Sequence, residues 1–194
     1  MNKDRYSYQT LLYTKIYNKY VNELYSYGKS LGVSHEDMED LIHDVFFNII
    51  ARHDKIDLES NHVKFFLFRC LKNKFISNKR KEKDIRSLTF EDSEDYNFSL
   101  EITSIDALIV QEEELELKIR VDKILKSLTN RQREAIYLRY MQELSYEEIA
   151  EMLNVTEKGA RKLISRAMSR VREEQLSLVV FLSFVTKFYS SDMF

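Results

Sequence analysis

The stretch from Lys158 to Arg172 has the residue types needed to bind phosphate groups. Its fifteen residues include six basic side chains and no acid, which gives a local net charge of plus six at neutral pH. Cations at this density neutralise nucleic-acid phosphates and release their counterions. The stretch therefore predicts a nucleic-acid-binding surface, with a merely solvated basic face as the competing interpretation. The basic residues are Lys158, Arg161, Lys162, Arg166, Arg170 and Arg172.

A second basic stretch, from Lys64 to Arg86, combines positive charge with aromatic and amide side chains. Nine basic residues face two acids there, a net charge of plus seven. Separated DNA strands suit such a set, because bases stack on a ring, donors bond base edges and cations hold phosphates. A partly buried aromatic beside a solvated face is the alternative. In a helix predicted from Val63 to Lys83, the candidates are Phe66, Arg69, Asn73, Ser77, Lys79 and Arg80.

Glu39 and His43 raise the question of a metal site, because they lie one helical turn apart among other acids. If these acids bound a metal ion, the protein could be a metal-dependent nuclease. No second histidine cluster completes a coordination shell. Cys70 is the single cysteine, so neither an intramolecular disulfide nor a cysteine-based zinc site can form. We therefore expect no metal, no cofactor and no catalytic residue.

A helix-turn-helix is predicted to position the C-terminal basic residues. Ser145 and Glu148 have the capping-box spacing that begins a first helix. Asn154 tolerates the left-handed conformation of a sharp turn, and Thr156 then caps a second helix. Such motifs place the N-terminal half of the second helix in the major groove. The candidate base-reading residues in that half are Lys158, Arg161, Lys162, Ser165 and Arg166.

Two earlier helices are predicted ahead of the aromatic and basic one. Residues 8–31 carry apolar positions at helical spacing, and Gly32 ends that helix. In the next helix, residues 35–51, the side away from the core carries acids, His43 and the large aromatic Phe47. An aromatic on a polar face is typical of a docking surface, although a second layer of core would also explain it. The predicted core stripe is Met38, Leu41, Ile42, Val45, Ile49 and Ile50.

Composition predicts an all-α protein of two small helical domains. The 194 residues include no proline and three glycines, so few residues interrupt long helices. Ten acids and no basic residue lie between Ser87 and Leu117, which separates the two basic regions. The expected divisions are a domain at 1–86, an acidic linker at 87–106, a helix-turn-helix domain at 107–175 and an apolar tail at 176–194.

The apolar tail and the N-terminus bear on location. Leu176 to Tyr189 is strongly apolar, but its fourteen residues are too few for a comfortable membrane span. The tail is predicted to be a final helix that covers its own domain, or else a surface for another protein. The N-terminal sequence MNKDRYSYQ lacks the apolar stretch of a signal peptide, so a cytoplasmic location is expected.

Residues 128–172, beginning LTNRQREAIYLRYMQELSYEEIAEMLNV, resemble region four of bacterial sigma factors, specifically the extracytoplasmic-function group of the sigma-seventy superfamily. FFLFRCLKNKFISNKRK resembles the sigma segment that melts and reads the minus ten element. Helix 35–51 resembles the region-two helix that grips the largest polymerase subunit. The sequence departs from the family pattern at four positions: Asn154 replaces a common glycine, Leu163 an arginine, His43 a glutamine and Phe66 a tryptophan.

The resemblance implies a sigma factor that binds core RNA polymerase and directs promoter-specific transcription initiation. It implies that Arg161, Lys162, Ser165 and Arg166 read the minus thirty-five element. The residues implied for binding core polymerase are Asp40, His43, Asp44 and Phe47. Core polymerase and promoter DNA are the expected partners, an anti-sigma factor is a further candidate, and no small-molecule substrate is expected.

A stand-alone helix-turn-helix regulator is the alternative function. It would explain residues 144–172. It leaves the aromatic and basic helix and the acidic linker without a purpose.

Overall fold

The computed structural model describes residues 2–51, 62–82, 96–100, 112–174 and 176–191, and this part of the chain contains helices and no strand. The all-α prediction is therefore confirmed. The chain divides into two compact units, an N-terminal unit of residues 1–93 and a C-terminal unit of residues 94–194. The helices are α1 (Asn2–Leu31), α2 (His35–Ala51), α3 (Val63–Glu82), α4 (Glu112–Ser127), α5 (Asn130–Ile136), α6 (Tyr146–Met152), α7 (Glu157–Glu173) and α8 (Leu178–Ser191), with a π-helical turn (Tyr137–Met141) after α5.

Three mutually packed helices, α1, α2 and α3, form the N-terminal unit. Gly32 ends α1 with a φ of 83°, and the Ser34 hydroxyl accepts from the Asp37 amide at 3.1 Å to cap α2. Five residues of the predicted α2 stripe are buried, and the side chain of the sixth, Ile50, lies outside the described residues. Phe46 and Phe68 are also buried, which periodicity did not predict.

The start signals predicted for the C-terminal unit form as hydrogen bonds. Thr129 and Gln132 make a reciprocal capping box at α5, and Ser145 and Glu148 make another at α6. The Thr156 hydroxyl accepts from the Gly159 amide at 3.1 Å and caps α7. These bonds satisfy amides that the first turn of a helix leaves without an intrahelical partner. Local sequence therefore determines where each of these helices begins.

Residues 96–100 pack into the C-terminal unit, although the sequence assigned them to a linker. Phe98 is fully buried and its ring lies 5.7 Å from that of Tyr137. The Tyr96 hydroxyl donates to the carboxylate of Glu134, and burial raises the pKa of Tyr96, which keeps the hydroxyl protonated. The rest of the predicted linker, residues 87–95 and 101–106, lies outside the described residues.

The apolar tail forms α8, which packs against α4 and α7. Leu176, Phe181 and Val185 are buried, so the tail covers its own domain as the first of its two interpretations expected. Val179 and Val180 stay exposed on its outer side. Within the described ranges, every helix is too short or too polar to serve as a membrane span.

Phe98→Ala should destabilise the C-terminal unit. Removing a fully buried phenylalanine leaves a cavity, and such changes cost about 3 kcal/mol or more. Urea unfolding followed by circular dichroism measures the loss. Phe47→Ala is the matched control, because Phe47 is 70% exposed and its removal leaves no cavity. Equal stability of Phe98→Ala and wild type would contradict the packing of residues 96–100.

Candidate nucleic-acid interface

The helix-turn-helix places the basic side of α7 on the surface of the C-terminal unit. Asn154 adopts a left-handed conformation with a φ of 51°, and the Val155 amide donates to the Ala150 carbonyl at 2.9 Å. The chain thus reverses between α6 and α7 within a few residues. The side of α7 that packs inward consists of Ala160, Ile164, Ala167, Met168 and Val171, all buried.

Small residues bring α7 close to the rest of the unit. Ala160 and Ala167 are fully buried on its inner side. A Cβ atom on Gly159 would lie 3.3 Å from both Thr156 Oγ1 and Val155 Cβ, which is tighter than an ordinary contact. The buried side of α7 packs against the unit, which leaves the opposite side of the helix facing solvent.

The five base-reading candidates on α7 share its outward side. Each of them is exposed, and together they form a surface of four cations and one hydroxyl: Lys158, Arg161, Lys162, Ser165 and Arg166. Arg170 and Arg172 are exposed further along the helix, and Arg170 forms an ion pair with Glu173 at 3.2 Å. The arrangement matches that of a helix able to enter a major groove with its first half.

Arg161 has contacts that the sequence did not indicate. Its Nε and Nη2 atoms donate to Oε1 of Glu157 at 3.0 and 2.5 Å. Its guanidinium carbon lies 4.0 Å from the ring centroid of Tyr146, and that of Arg139 lies 4.7 Å from the same centroid. Tyr146 was missed because it belongs to α6, and no spacing within the sequence pairs it with a residue of α7. The Glu157 and Arg161 spacing of four was the available signal for the ion pair.

On α3, the predicted nucleic-acid face is exposed in the N-terminal unit. Phe66 is half-buried, as a stacking ring supported from one side would be, and the remaining candidates are exposed: Arg69, Asn73, Ser77, Lys79 and Arg80. Phe65, which the sequence did not single out, lies beside this face, with its ring centroid 5.9 Å from the guanidinium carbon of Arg69. The face therefore has two aromatic side chains at its N-terminal end.

The predicted docking residues of α2 are divided by the structure. Asp40, His43 and Phe47 are exposed, and the 70% exposure of Phe47 excludes the second-core-layer interpretation within this unit. Asp44 is half-buried and pairs with Lys74 of α3 at 2.7 Å, so it joins α2 to α3. In the part of the chain described, no three histidine, cysteine or acidic side chains come together as metal ligands.

Known protein families match residues in both units of the chain. The family described as Sigma-70 region 2 matches residues 16–85, and the family described as Sigma-70, region 4 matches residues 118–171. The ECF RNA polymerase sigma factor SigM of Bacillus subtilis (strain 168) is 28% identical over 158 residues, which cover 81% of this chain and 91% of that protein. These matches cover both α3 and α7.

A solved structure of a sigma factor is also similar to this chain. The sigma factor RpoE, in its co-crystal structure with the anti-sigma factor NepR from Bartonella quintana, is 27% identical with a TM-score of 0.53. The match covers 84% of this chain and 95% of that one. A helix-turn-helix regulator alone would not account for the region 2 match over residues 16–85. The chain belongs to the sigma-70 family of RNA polymerase sigma factors, within its extracytoplasmic-function (ECF) group.

Proposed function

We propose that this sigma factor, which binds core RNA polymerase and directs promoter-specific initiation, divides promoter recognition between two helix faces. The outward side of α7 reads the minus thirty-five element as duplex DNA. The exposed face of α3 melts and holds the minus ten element. One observation supports this division of roles. Each unit exposes a basic helix face, on α3 in the region 2 match and on α7 in the region 4 match.

Duplex recognition by α7 follows from its side-chain chemistry. Arginine donates two hydrogen bonds to O6 and N7 of guanine, the commonest specific contact in the major groove. The exposure of Arg161 and Arg166 on this side of α7 supports such a role for them, and Lys158 and Lys162 would add attraction to phosphates. Ser165 is small enough to leave the bases accessible between them. The affinity of α7 for DNA should therefore fall steeply as salt concentration rises.

Opening of the start region requires no catalytic residue. A protein that binds separated strands more tightly than paired ones shifts the equilibrium towards the open duplex. Stacking of a base on an aromatic side chain contributes about 1–3 kcal/mol, which is comparable with the cost of unstacking a base from DNA. Phe66 and Phe65 supply rings, Asn73 supplies an amide for a base edge, and Lys79 and Arg80 supply cations for phosphates.

Docking on core polymerase is assigned to α2. Phe47 is a large exposed aromatic with acids and His43 on the same helix, which is the composition of an interface anchor with a polar rim. Asp40 and His43 lie on the exposed side with it. Asp44 contributes through its ion pair with Lys74, which holds α2 against α3.

The setting of this activity follows from its partners. The protein acts as a non-enzymatic subunit in the cytoplasm, where polymerase and promoter DNA are found. The N-terminal unit, residues 1–93, provides the face on α3, and the C-terminal unit, residues 94–194, provides the face on α7. The related RpoE structure contains an anti-sigma factor, and an anti-sigma factor is the further partner proposed for this chain.

Arg166→Ala should relax recognition of the upstream element without affecting core binding. Loss of a bidentate base contact costs about 1–3 kcal/mol at one base pair, so the preference for that pair should fall about tenfold. The measurement is holoenzyme binding to a promoter and to its single-base-pair variants. Arg172→Ala is the matched control, because it removes the same charge from the same helix and should weaken all the DNA sequences about equally. Equal behaviour of the two variants would contradict the base-reading role of Arg166.

Asn73→Ala should slow promoter opening while leaving closed-complex binding unchanged. The amide is exposed on the α3 face, and its loss removes a donor and acceptor for an unpaired base. Opening is measured by permanganate reactivity of thymines near the start site as a function of time. Asn78→Ala, the same change on a different side of α3, is the control and should open DNA at the wild-type rate. Unchanged opening by Asn73→Ala would argue against this face.

A further inference from the structure

A chain of contacts runs from the π-helical turn to the recognition side of α7. The Arg139 Nη1 atom donates to the Leu144 carbonyl at 2.8 Å, which fixes the guanidinium of Arg139 at the start of the motif. The ring of Tyr146 has this guanidinium at 4.7 Å and the guanidinium of Arg161 at 4.0 Å from its centroid. Both distances lie within the range at which a cation is attracted to the face of an aromatic ring. Side chains from the π-helical turn and from α7 therefore meet at the ring of Tyr146, which belongs to α6.

The π-helical turn is what puts Arg139 in this place. Residues 137–141 wind more loosely than an α-helix, and such turns recur at functional sites because they redirect the side chains that follow. The Glu143 φ of 59° then reverses the chain ahead of α6. An ordinary α-helical continuation of α5 would point residue 139 in a different direction. The irregular backbone thus places the guanidinium of Arg139 beside the ring of Tyr146.

Arg161 is held in place while it remains accessible. Its side chain is 57% exposed, so the contacts with Tyr146 and Glu157 do not bury it. Glu157 occupies the edge of the guanidinium formed by Nε and Nη2. The edge formed by the two terminal nitrogens is then the one presented to a base, and this edge has the spacing to bond O6 and N7 of guanine.

We propose that Tyr146 is a positioning residue for promoter recognition, which orients Arg161 by stacking on its guanidinium. The proposal rests on the proposed function, since Arg161 must read a base for its orientation to matter. A long arginine side chain loses rotamer freedom when it binds, and a side chain already held in one orientation loses less. The ring therefore strengthens recognition of one base pair without touching that base pair itself.

The test uses full-length protein assembled with core polymerase, on a promoter chosen by mapping the starts that the wild-type holoenzyme uses. Five proteins are compared: wild type, Tyr146→Leu, Tyr146→Phe, Arg161→Ala and the double variant Tyr146→Leu with Arg161→Ala. For each, the measured quantity is the preference for the promoter over a panel of single-base-pair changes in its upstream element. Thermal unfolding of each variant is measured alongside.

The expected result is a loss of preference that depends on Arg161. Arg161→Ala should abolish discrimination at one base pair. Tyr146→Leu should lower discrimination at that same pair about two- to fivefold, in the range given by a ring stacked on an exposed cation. Tyr146→Phe keeps the ring and should restore the wild-type preference. In the Arg161→Ala background, Tyr146→Leu should cause no further loss at that pair.

Other outcomes would distinguish failure of the positioning role of Tyr146 from failure of base reading by Arg161. An equal loss from Tyr146→Leu with and without Arg161 would overturn the positioning role and leave base reading by Arg161 standing. Failure of Tyr146→Phe to restore the preference would also overturn it, because the hydroxyl rather than the ring would then be responsible. No change in discrimination on Arg161→Ala would contradict the proposed base-reading role of Arg161 and, with it, the inference.

Discussion

The hydrogen bonds of the Arg133 guanidinium link three segments of the C-terminal unit. The guanidinium donates from Nε to the Phe98 carbonyl at 2.7 Å and from Nη1 to the Leu125 and Leu128 carbonyls. One side chain thereby joins residues 96–100, the end of α4 and the start of α5. Arg133 is half-buried, which lowers its pKa, and its hydrogen bonds to carbonyl oxygens offset part of the cost of removing the cation from water. Arg133 thus helps to hold α5 in place, and α5 in turn packs against α7.

The proposed division of promoter recognition places opposite demands on the two helix faces. The side of α7 has to be rigid before DNA arrives, because duplex bases are read at fixed positions, and its caps, small inward residues and close turn supply that rigidity. The face of α3 has to capture bases that leave a duplex, so partly exposed rings and cations matter more than a fixed fit. The difference in side-chain chemistry between the two faces is the one that this proposal requires.

Local signals in the sequence predicted where helices and turns form. The sequence did not predict contacts between residues that are far apart in the chain. The capping boxes at Thr129 and Ser145, the left-handed Asn154 and the exposed side of α7 all depend on spacings of a few residues, so they were predictable. The packing of Phe98 and the stacking of Tyr146 on Arg161 join residues that are far apart in the chain or on different helices. The spacing of apolar and charged residues along the sequence does not reveal such pairs. For that reason the sequence did not indicate that residues 96–100 pack into the C-terminal unit.

The central claim is that this chain gives core polymerase its promoter specificity. The most direct measurement is in vitro transcription by sigma-free core polymerase from a related bacterium on fragmented genomic DNA, with and without the protein. The account predicts discrete new start sites, each preceded by the same upstream and minus ten elements. Binding of the chain to DNA without any new start site would contradict it.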